Sequence, residues 1–575
     1  MAAKRSNPKL AKPAITNAGV AEILHRYAAL LAAEGADRFK TQAYQRAAAT
    51  IERLPGDVAQ LVVEGRDLQN LPGIGKAISA VIEEIVRTGT LQRLDEALAQ
   101  MPPERVEFVA HPLLDVKKVE RIYKKLGIRT VKELTQRLES GAIRNAFGER
   151  MELHVRQGLD PRPRMLLRKA NQLALPIEEF LKSIPGVTAV ERTGSLRRRQ
   201  ETVGDLSFLV SGSSARAIFE RFSQFAKPEP RGGSRNRRTF RMASGDVVTL
   251  QWSPKKTWGL DLLKASGAAA HLRDLETRAR QKRIELTVKG LAAKRVDASD
   301  ESAVYRTLGL PNIEPELREG RGEVRAAVQG QLPSLIQLAD LKGDLHMHTV
   351  ASDGGNTILE MVEACRALGY QYLAITDHSR SLKLTNGLSE KRLLQQIREI
   401  DKLNARLDGF VILKSSEVDI LEDGTLDYPP SALKELDLTI CSIHSRFALD
   451  RQRQTERILR AMDNRDFNLL GHATGRLLLK RPGYDLDIER LIEHAKQVGC
   501  FFEINSNPNR LDLSDVHARL AKERGVKIAI NTDAHSITEL DFMASGVYQA
   551  RRAWLEAEDV LNVASLPRLR KLLAR

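Results

Sequence analysis

The sequence predicts a multidomain chain of mixed α+β and α/β class. Helical helix-hairpin-helix units come first, a strand-and-helix middle follows, and a parallel β/α barrel comes last. Three observations carry this reading. The 575 residues are enough for roughly four domains of about 150 residues each. In the N-terminal part, apolar residues recur at intervals of three and four around a Pro-Gly-x-Gly turn, the spacing of short amphipathic helices. In the last two-fifths, an apolar run, a histidine or acid, and a helical stretch repeat in that order. Such alternation points to a parallel barrel whose strand ends meet at one mouth.

Composition narrows the function classes. Hydrophobic content of 42% and charged content of 29% are ordinary for a soluble globular protein. The 3 cysteines (Cys365, Cys441, Cys500) are widely spaced with no CxxC pair, which excludes a disulfide framework and a thiolate zinc site and fits the cytoplasm. No run of about 18 apolar residues is present, so no membrane partner is expected. The first residues carry no apolar signal core and read as a short basic tail. A net charge of +16 favours a polyanion, because neutralising phosphates releases counterions. Arginine clustering strengthens this expectation: Arg192, Arg197, Arg198 and Arg199 form one group, and Arg231, Arg235, Arg237, Arg238 and Arg241 another. Aromatic content of 5% argues against base stacking as the main binding mode.

Taken in order, the stretch from Ala21 to Leu31 and that from Tyr44 to Ile51 have helical apolar spacing. Asn70-Leu71-Pro72-Gly73-Ile74-Gly75-Lys76 then reads as the hairpin turn. Gly73 and Gly75 let a nucleic-acid backbone come close, and the helix opening at Lys76 presents free N–H groups to a phosphate. A second copy begins near Phe108, but Leu113 and Asp115 replace both glycines, so it reads as structural. In the middle, Gly194 to Val210 reads as turn, basic loop and strand, and Asp246 to Trp252 as a further strand. The proline-punctuated run from Pro311 to Pro333 reads as a linker.

The strongest chemical signal lies beyond that linker. Asp344-Leu345-His346-Met347-His348, Asp353, Asp377-His378, Glu417, His444, His472 and Asp533-Ala534-His535 each end an apolar run or follow closely on one. Imidazole and carboxylate together are the ligand set of a catalytic divalent-metal site. Of the 12 histidines, the other six (His25, His111, His154, His271, His494, His517) fall on helical or polar stretches and read as having no partners. Asp344 and Asp377 could orient ligand imidazoles or cap strand ends. Arg380, Lys383 and Arg446 follow ligands in loops and could hold a phosphate backbone, with Asn505 and Arg510 as further candidates.

On the Gly194-Ser195…Arg198 loop followed by Gly204-Asp205, and on the ligand series from His346 to His535, the chain resembles bacterial family X DNA polymerases with a C-terminal PHP domain. The resemblance covers nearly the whole length. It implies a basic tail (1–15), a lyase-like helical domain with the hairpin (16–95) and a fingers-like helical domain with the degenerate hairpin (96–164). A nucleotidyltransferase-like palm (165–260), a thumb (261–325), a linker (326–337) and a distorted seven-stranded PHP barrel (338–575) follow. It also implies three divalent metals. His346, His348, Glu417 and Asp533 would hold one, Asp353, His378 and His535 a second, and Glu417, His444 and His472 a third. Of these residues, His346, His348, Glu417, Asp533 and His535 are assigned to catalysis. Manganese or zinc suits the mixed nitrogen and oxygen set.

The palm departs from the family pattern. A pair of aspartates at i and i+2 on one strand, plus a third on its neighbour, would hold magnesium or manganese. Here the first is Asp205, but Ser207 and Thr249 occupy the other two positions, and Asp246 points to the opposite face. Lys264-Ala265-Ser266-Gly267 replaces the expected aromatic pair of the thumb, and Val81 stands at the lyase nucleophile's place. Ser195 and Arg198 remain as expected phosphate contacts, and Gly73, Gly75 and Lys76 as DNA contacts. The expected function is a DNA-repair 3′-5′ exonuclease, with abasic-site cutting as a related activity, acting as a monomer on gapped, nicked or 3′-ended DNA. The alternatives are an active bifunctional polymerase and exonuclease, a DNA-binding scaffold, and a small-molecule phosphoesterase.

Overall fold

The computed structural model describes residues 15–33, 37–52, 54, 57–100, 114, 116–160, 164–230, 233–284, 298–382 and 385–574. At the N-terminus, helices Asn17–Ala33 and Arg38–Glu52 pack side by side around Leu24, Ala28, Tyr44 and Ile51. Tyr27 and Tyr44 meet edge-on at 5.0 Å, a favoured aromatic geometry. Gly73 adopts φ +78, which a side chain would strain, and turns the chain into helix Lys76–Thr88 with Gly75 as its N-cap. That helix buries Ile78, Ile82 and Ile85 at helical spacing. It stops at Gly89, whose left-handed N–H donates to the Ile85 carbonyl. The degenerate second hairpin falls largely outside the described residues; helix Val116–Leu126 follows it.

The middle unit is a five-stranded sheet of β1 (Val187–Arg192), β2 (Leu206–Gly212), β3 (Lys227–Pro228), β4 (Arg237–Arg241) and β5 (Val247–Trp252), ordered β1-β2-β5-β4-β3. Only β2 and β5 run parallel. A phenylalanine cluster holds one face: Phe222 meets Phe240 at 4.8 Å and Phe225 at 5.3 Å. The adjoining helices Trp258–Ser266 and Ala269–Gln281 share a core with Tyr305, Ile313, Leu317 and Val324. Two expectations are corrected here. The proline-punctuated run is no loose linker, because Ile313, Leu317, Val324 and Ala327 are buried in that core and Leu335 bridges to Glu556. His271 and His494 have partners. His271 is fully buried between Glu323, 2.7 Å from Nδ1, and the Tyr305 hydroxyl, 3.0 Å from Nε2. His494 Nε2 lies 2.9 Å from Asp463.

The C-terminal unit is a seven-stranded parallel sheet of β6 (Gly343–Asp344), β7 (Tyr372–Ile375), β8 (Val411–Asp419), β9 (Leu438–Ser442), β10 (Leu469–Leu470), β11 (Phe501–Asn505) and β12 (Ile528–Asn531). The strands pair in chain order, and the sheet closes where His348 N donates to Ala534 O (2.8 Å) and Asp533 N to His346 O (2.9 Å). Period-two alternation sorts the strand residues. Leu413, Leu438, Ile440, Leu469 and Ala529 fill the barrel interior together with Leu569 and Leu573 of helix Leu566–Leu573, which plugs the floor. Residues one position along, such as Val418, Cys441, Leu470, Phe502 and Ile530, face the outer helices. Two steps beyond the apolar interior on the same face come the polar residues of the mouth: Ser415 and Glu417 follow Leu413, and Asn531 and Asp533 follow Ala529.

The first arginine cluster proves to be an internal clasp, which corrects its reading as a phosphate surface. Arg192 pairs with Glu178 (2.6 Å) and Arg197 with Glu301 (2.6 Å), while Arg198 pairs with Glu319 (2.8 Å). Arg199 lies over the Tyr548 ring at 4.5 Å. Glu319 also receives Arg552 (2.9 Å), which bonds Asp515 (2.6 Å), so sheet, thumb and barrel share one charge network. By contrast, Arg235, Arg237 and Arg238 are exposed at the sheet's edge, and Arg231 lies outside the described residues. Burial disfavours the charged forms of Glu301, Glu319 and Asp515, but their arginine partners outweigh it and hold all three below the usual carboxylate range. Their folded pKa values lie below the unfolded ones, so this stabilisation is complete above pH about 5 and fades as pH falls through about 4 and lower. The urea midpoint of the full chain should therefore hold from pH 7 to about 5 and drop below that. Glu319→Gln should cost about 1.5–3 kcal/mol at neutral pH, read as a lower midpoint.

Candidate metal centre

Parallel strands deliver side chains to one end of a barrel, and six of the seven deliver nine ionisable groups here. His346 and His348 follow β6, His378 follows β7, Glu417 sits near the end of β8, and His444 follows β9. His472 follows β10, and Asp533 and His535 follow β12. Asp353 arrives on the loop after His348. All nine expected residues come together. His348, Asp353, His378 and His535 form one group able to hold an ion, His346, His348 and Asp533 a second, and His378, Glu417 and His444 a third. This partition differs from the expected one: His348 joins the Asp353 group, and His378 joins Glu417. His472 Nε2 reaches Glu417 Oε1 at 2.8 Å.

Glu417 is the centre of the arrangement. It lies 2.9 Å from His378, 3.3 Å from His444, 3.5 Å from His346 and 3.6 Å from His348. Burial disfavours its charge, yet the imidazoles of His378, His444 and His346 outweigh that and hold its carboxyl well below the usual range. Asp533 behaves likewise, buried but held low by His346, His348 and His535. Burial opposes the charge on His378, His444 and His535 too, but neighbouring carboxylates win and push them up to about 10, 9 and 9. His348 goes the other way, to about 4, because burial and the nearby His378 disfavour its charge.

The donor set fits divalent cations. His346 Nε2 and His348 Nδ1 are buried with no aligned hydrogen bond, which would be costly unless an electrophile meets them, and Glu417 Oε2 has only the contact to His378 Nδ1 at 2.9 Å within hydrogen-bond distance.

Of the two readings of Asp344 and Asp377, the contacts fit the bracing of strand ends. Asp344 accepts from His346 N (3.2 Å) and from the Thr532 hydroxyl, and Asp377 accepts from Thr349 N (2.8 Å) and Gln396 (2.6 Å). Both brace backbone and loops rather than imidazoles. Imidazole orientation falls instead to Glu503, 2.7 Å from His346 Nδ1, and to Asp419, 2.7 Å from His444 Nδ1. The sequence reading missed both roles, although each acid stands two residues from a residue it did single out, Asn505 and Glu417 respectively. Asn505 does reach the site, donating to Asp533 Oδ2 at 3.0 Å, and Arg510 Nε lies 3.6 Å from the same oxygen. Asp533 adopts φ +55 and His472 φ +25, so the backbone at two of the nine is held in the left-handed region. Arg380 pairs with Asp427 and Arg446 with Glu422 at the rim, both largely exposed; Lys383 lies outside the described residues.

The palm tells a different story. Ser207 and Thr249 stand side by side in register on β2 and β5, with Thr239 next on β4. Ser207 Oγ donates to Asp205 Oδ2 at 2.7 Å. Asp246 is turned away, paired with Lys169 at 2.9 Å. Gly194, at φ +59, brings the Ser195 turn beside Ser207, and Ser195 O accepts from Gln200 N (3.0 Å). Arg198 is corrected as a phosphate contact, since its guanidinium is spent on Glu319 and on Ser266 O at 2.7 Å, acceptors supplied by the thumb. Lys76 is exposed at the hairpin helix's first turn beside exposed Gly73 and Gly75, while Val81 packs against the helical core.

Comparison with known proteins agrees with this layout. A helix-hairpin-helix domain model matches residues 15–91, a DNA polymerase beta thumb model residues 261–319, and a PHP domain model residues 344–507. The DNA polymerase/3′-5′ exonuclease PolX of Bacillus subtilis is 35% identical over 569 residues, covering 97% of this chain and 99% of that protein. A probable phosphatase of Thermoanaerobacter sp. is 31% identical over 230 residues, 38% of this chain and 89% of its own length. Another from Caldanaerobacter subterraneus is 33% identical over 203 residues, 33% of this chain and 75% of its own. With hairpin, thumb and PHP barrel in this order and end-to-end similarity to PolX, the chain belongs to the family X DNA polymerases that carry a C-terminal PHP domain.

Proposed function

We propose that this chain is a DNA-repair hydrolase that cleaves phosphodiesters from the 3′ end at the barrel mouth, while the palm serves chiefly to bind DNA. The carrying observation is the contrast between two sites on one chain. The barrel gathers nine ligand-type residues with buried, unpartnered donors, whereas the palm has Asp205 among the hydroxyls of Ser207, Thr249 and Thr239. The name of the Bacillus subtilis relative supports the 3′-5′ exonuclease assignment, and the hairpin and the exposed arginines of β4 support DNA as the polymer held. Abasic-site cutting would use the same centre. Three cations, manganese or zinc, suit the donor set, and the monomer acting in the cytoplasm on gapped, nicked or 3′-ended DNA is the form proposed.

Bound divalent cations supply a water of pKa about 7 and clamp the attacking and leaving oxygens. His346, His348 and Asp533 would hold one, Asp353, His378 and His535 a second, and Glu417, His444 and His472 a third, with Glu417 shared. Glu503 and Asp419 fix the tautomers of His346 and His444 by taking their Nδ1 protons into hydrogen bonds. Asn505 holds Asp533 from the outer side, and Arg510, partly exposed beside it, can meet a phosphate oxygen. Asp353 and His535 have the most exposed side chains of the nine, so the strand enters on their side.

The palm works against polymerisation. Two hydroxyls cannot offset the charge of a hard cation as two carboxylates do. The printed name of the relative favours a second reading, an active polymerase and exonuclease, and one assay separates the two. On a 5′-labelled primer over a gapped template with manganese, the wild type should shorten the primer and leave it unextended when nucleotides are added. Ser207→Asp/Thr249→Asp should gain extension; extension by the wild type would sink the impaired-palm reading. In the same assay Asp533→Ala or chelation should abolish shortening. Glu503→Gln should slow it about 10- to 100-fold and weaken metal binding in parallel. Shortening that persists at full rate in Asp533→Ala would exclude this centre as its source.

A further inference from the structure

A paired aromatic surface stands at the rim of the metal centre, outside the ligand set. Phe447 lies three residues after His444, so its Cα is at most about 11 Å from that ligand's. Its ring is parallel to that of Tyr484, 6° between planes and 5.8 Å between centroids, an offset stack. Tyr484 belongs to the loop that follows His472. Its N–H donates to Thr474 O (3.0 Å), and its ring fills the space over Gly475, where an added Cβ would fall 2.2 Å from Cε1. The pair therefore bridges the loops after two ligands.

The loop beneath is fixed as well. Buried Arg457 donates to Ser445 O (3.0 Å) and Leu421 O (2.7 Å), which leaves little freedom at the base of Phe447. The guanidinium of Arg481 lies 4.7 Å from the Phe447 centroid and also donates to Gly475 O (2.6 Å). Phe447 stays 38% exposed against these neighbours, so part of its ring is open to solvent.

Six of the nine clustered groups (His346, His348, His378, Glu417, His472 and Asp533) are almost fully buried, so a scissile phosphodiester reaches them only if its nucleotide leaves the helical stack. Leaving the stack exposes a base that must be received elsewhere. We propose that Phe447, backed by Tyr484, is a nucleobase subsite whose ring takes the terminal base of the strand being cut in place of the Arg481 guanidinium that lies over it, without reading the base's identity. Arg481 adds positive charge for that nucleotide's phosphate. The inference rests on the hydrolase reading above.

The test uses the full chain and two probes. In EDTA, a single-stranded oligonucleotide with a 3′-terminal 2-aminopurine should be quenched on binding to the wild type and to Phe447→Trp. Phe447→Ala should lose the quenching and bind about 5- to 150-fold more weakly. With manganese, the ratio of kcat/KM for a base-bearing 3′ end to that for a tetrahydrofuran 3′ end should fall toward one in Phe447→Ala, mainly through KM. Equal quenching by wild type and Phe447→Ala, or an unchanged ratio, overturns the subsite, as does Phe447→Trp behaving like Phe447→Ala. If circular dichroism shows Phe447→Ala misfolded, Phe447→Leu, which keeps apolar bulk without a π-face, replaces it. Quenching that depends on Phe447 in a wild type that shortens neither oligonucleotide leaves the subsite standing and removes the hydrolase reading.

Discussion

Glu417 is a carboxylate with no route to water, and the barrel is organised around satisfying it. Five imidazoles lie within 3.6 Å of its two oxygens, His346 and His348 from one strand end and His378, His444 and His472 from three others. Burying one carboxylate among so many rings is tolerable only because the groups neutralise one another. That mutual neutralisation needs all the strands to end at the same level, which parallel pairing in chain order achieves. Leu413, two turns of the pleat below Glu417, belongs to the dry interior, so one strand carries both the apolar floor and the charged mouth. Acids outside the ligand set then hold the rings in place, Glu503 on His346 and Asp419 on His444.

Much of this was legible in the sequence because it is written in local pattern. Each ligand closes an apolar run or follows one closely, so periodicity placed most of the barrel strands and their common mouth, and the family resemblance picked out the nine residues. What stayed hidden depends on partners far apart in the chain. Glu503 looks like an ordinary strand acid until β11 is seen across from His346, 157 positions away. The arginines from Arg192 to Arg199 looked like a phosphate surface because composition counts charges without naming their partners. Glu301 and Glu319, more than 100 residues on, take two of them up. The run of prolines misled for a related reason: it signals turns, and turns can be packed as tightly as helices, as Ile313 and Leu317 are. Low aromatic content argues against stacking as the main binding mode, but composition says nothing about the placement of a single ring such as Phe447.

The palm shows a backbone frame set by packing and register rather than by the polar side chains it carries. β2 and β5 keep the parallel register that would place metal-binding side chains side by side, yet Ser207 and Thr249 fill the pair, and Ser207 donates to Asp205. The frame around them is intact, with Val210 and Leu250 in the phenylalanine-rich core and the Ser195 turn beside Ser207. The clasp through Arg198, Glu319 and Arg552 then makes that frame a mount for the barrel.

Helix Leu566–Leu573, which closes the barrel floor, comes after every ligand in the chain. Leu569 and Leu573 enter the same interior cluster as Leu413 and Ile440, and Asn468 fixes the Leu573 carbonyl at 3.0 Å. During synthesis the hairpin and the clasped palm emerge first and can fold as units. A ribosome that has released all nine clustered residues has still not delivered the plug beneath them. The order of assembly is thus built into the polypeptide: the chain acquires its grip on nucleic acid before it acquires a finished cutting centre.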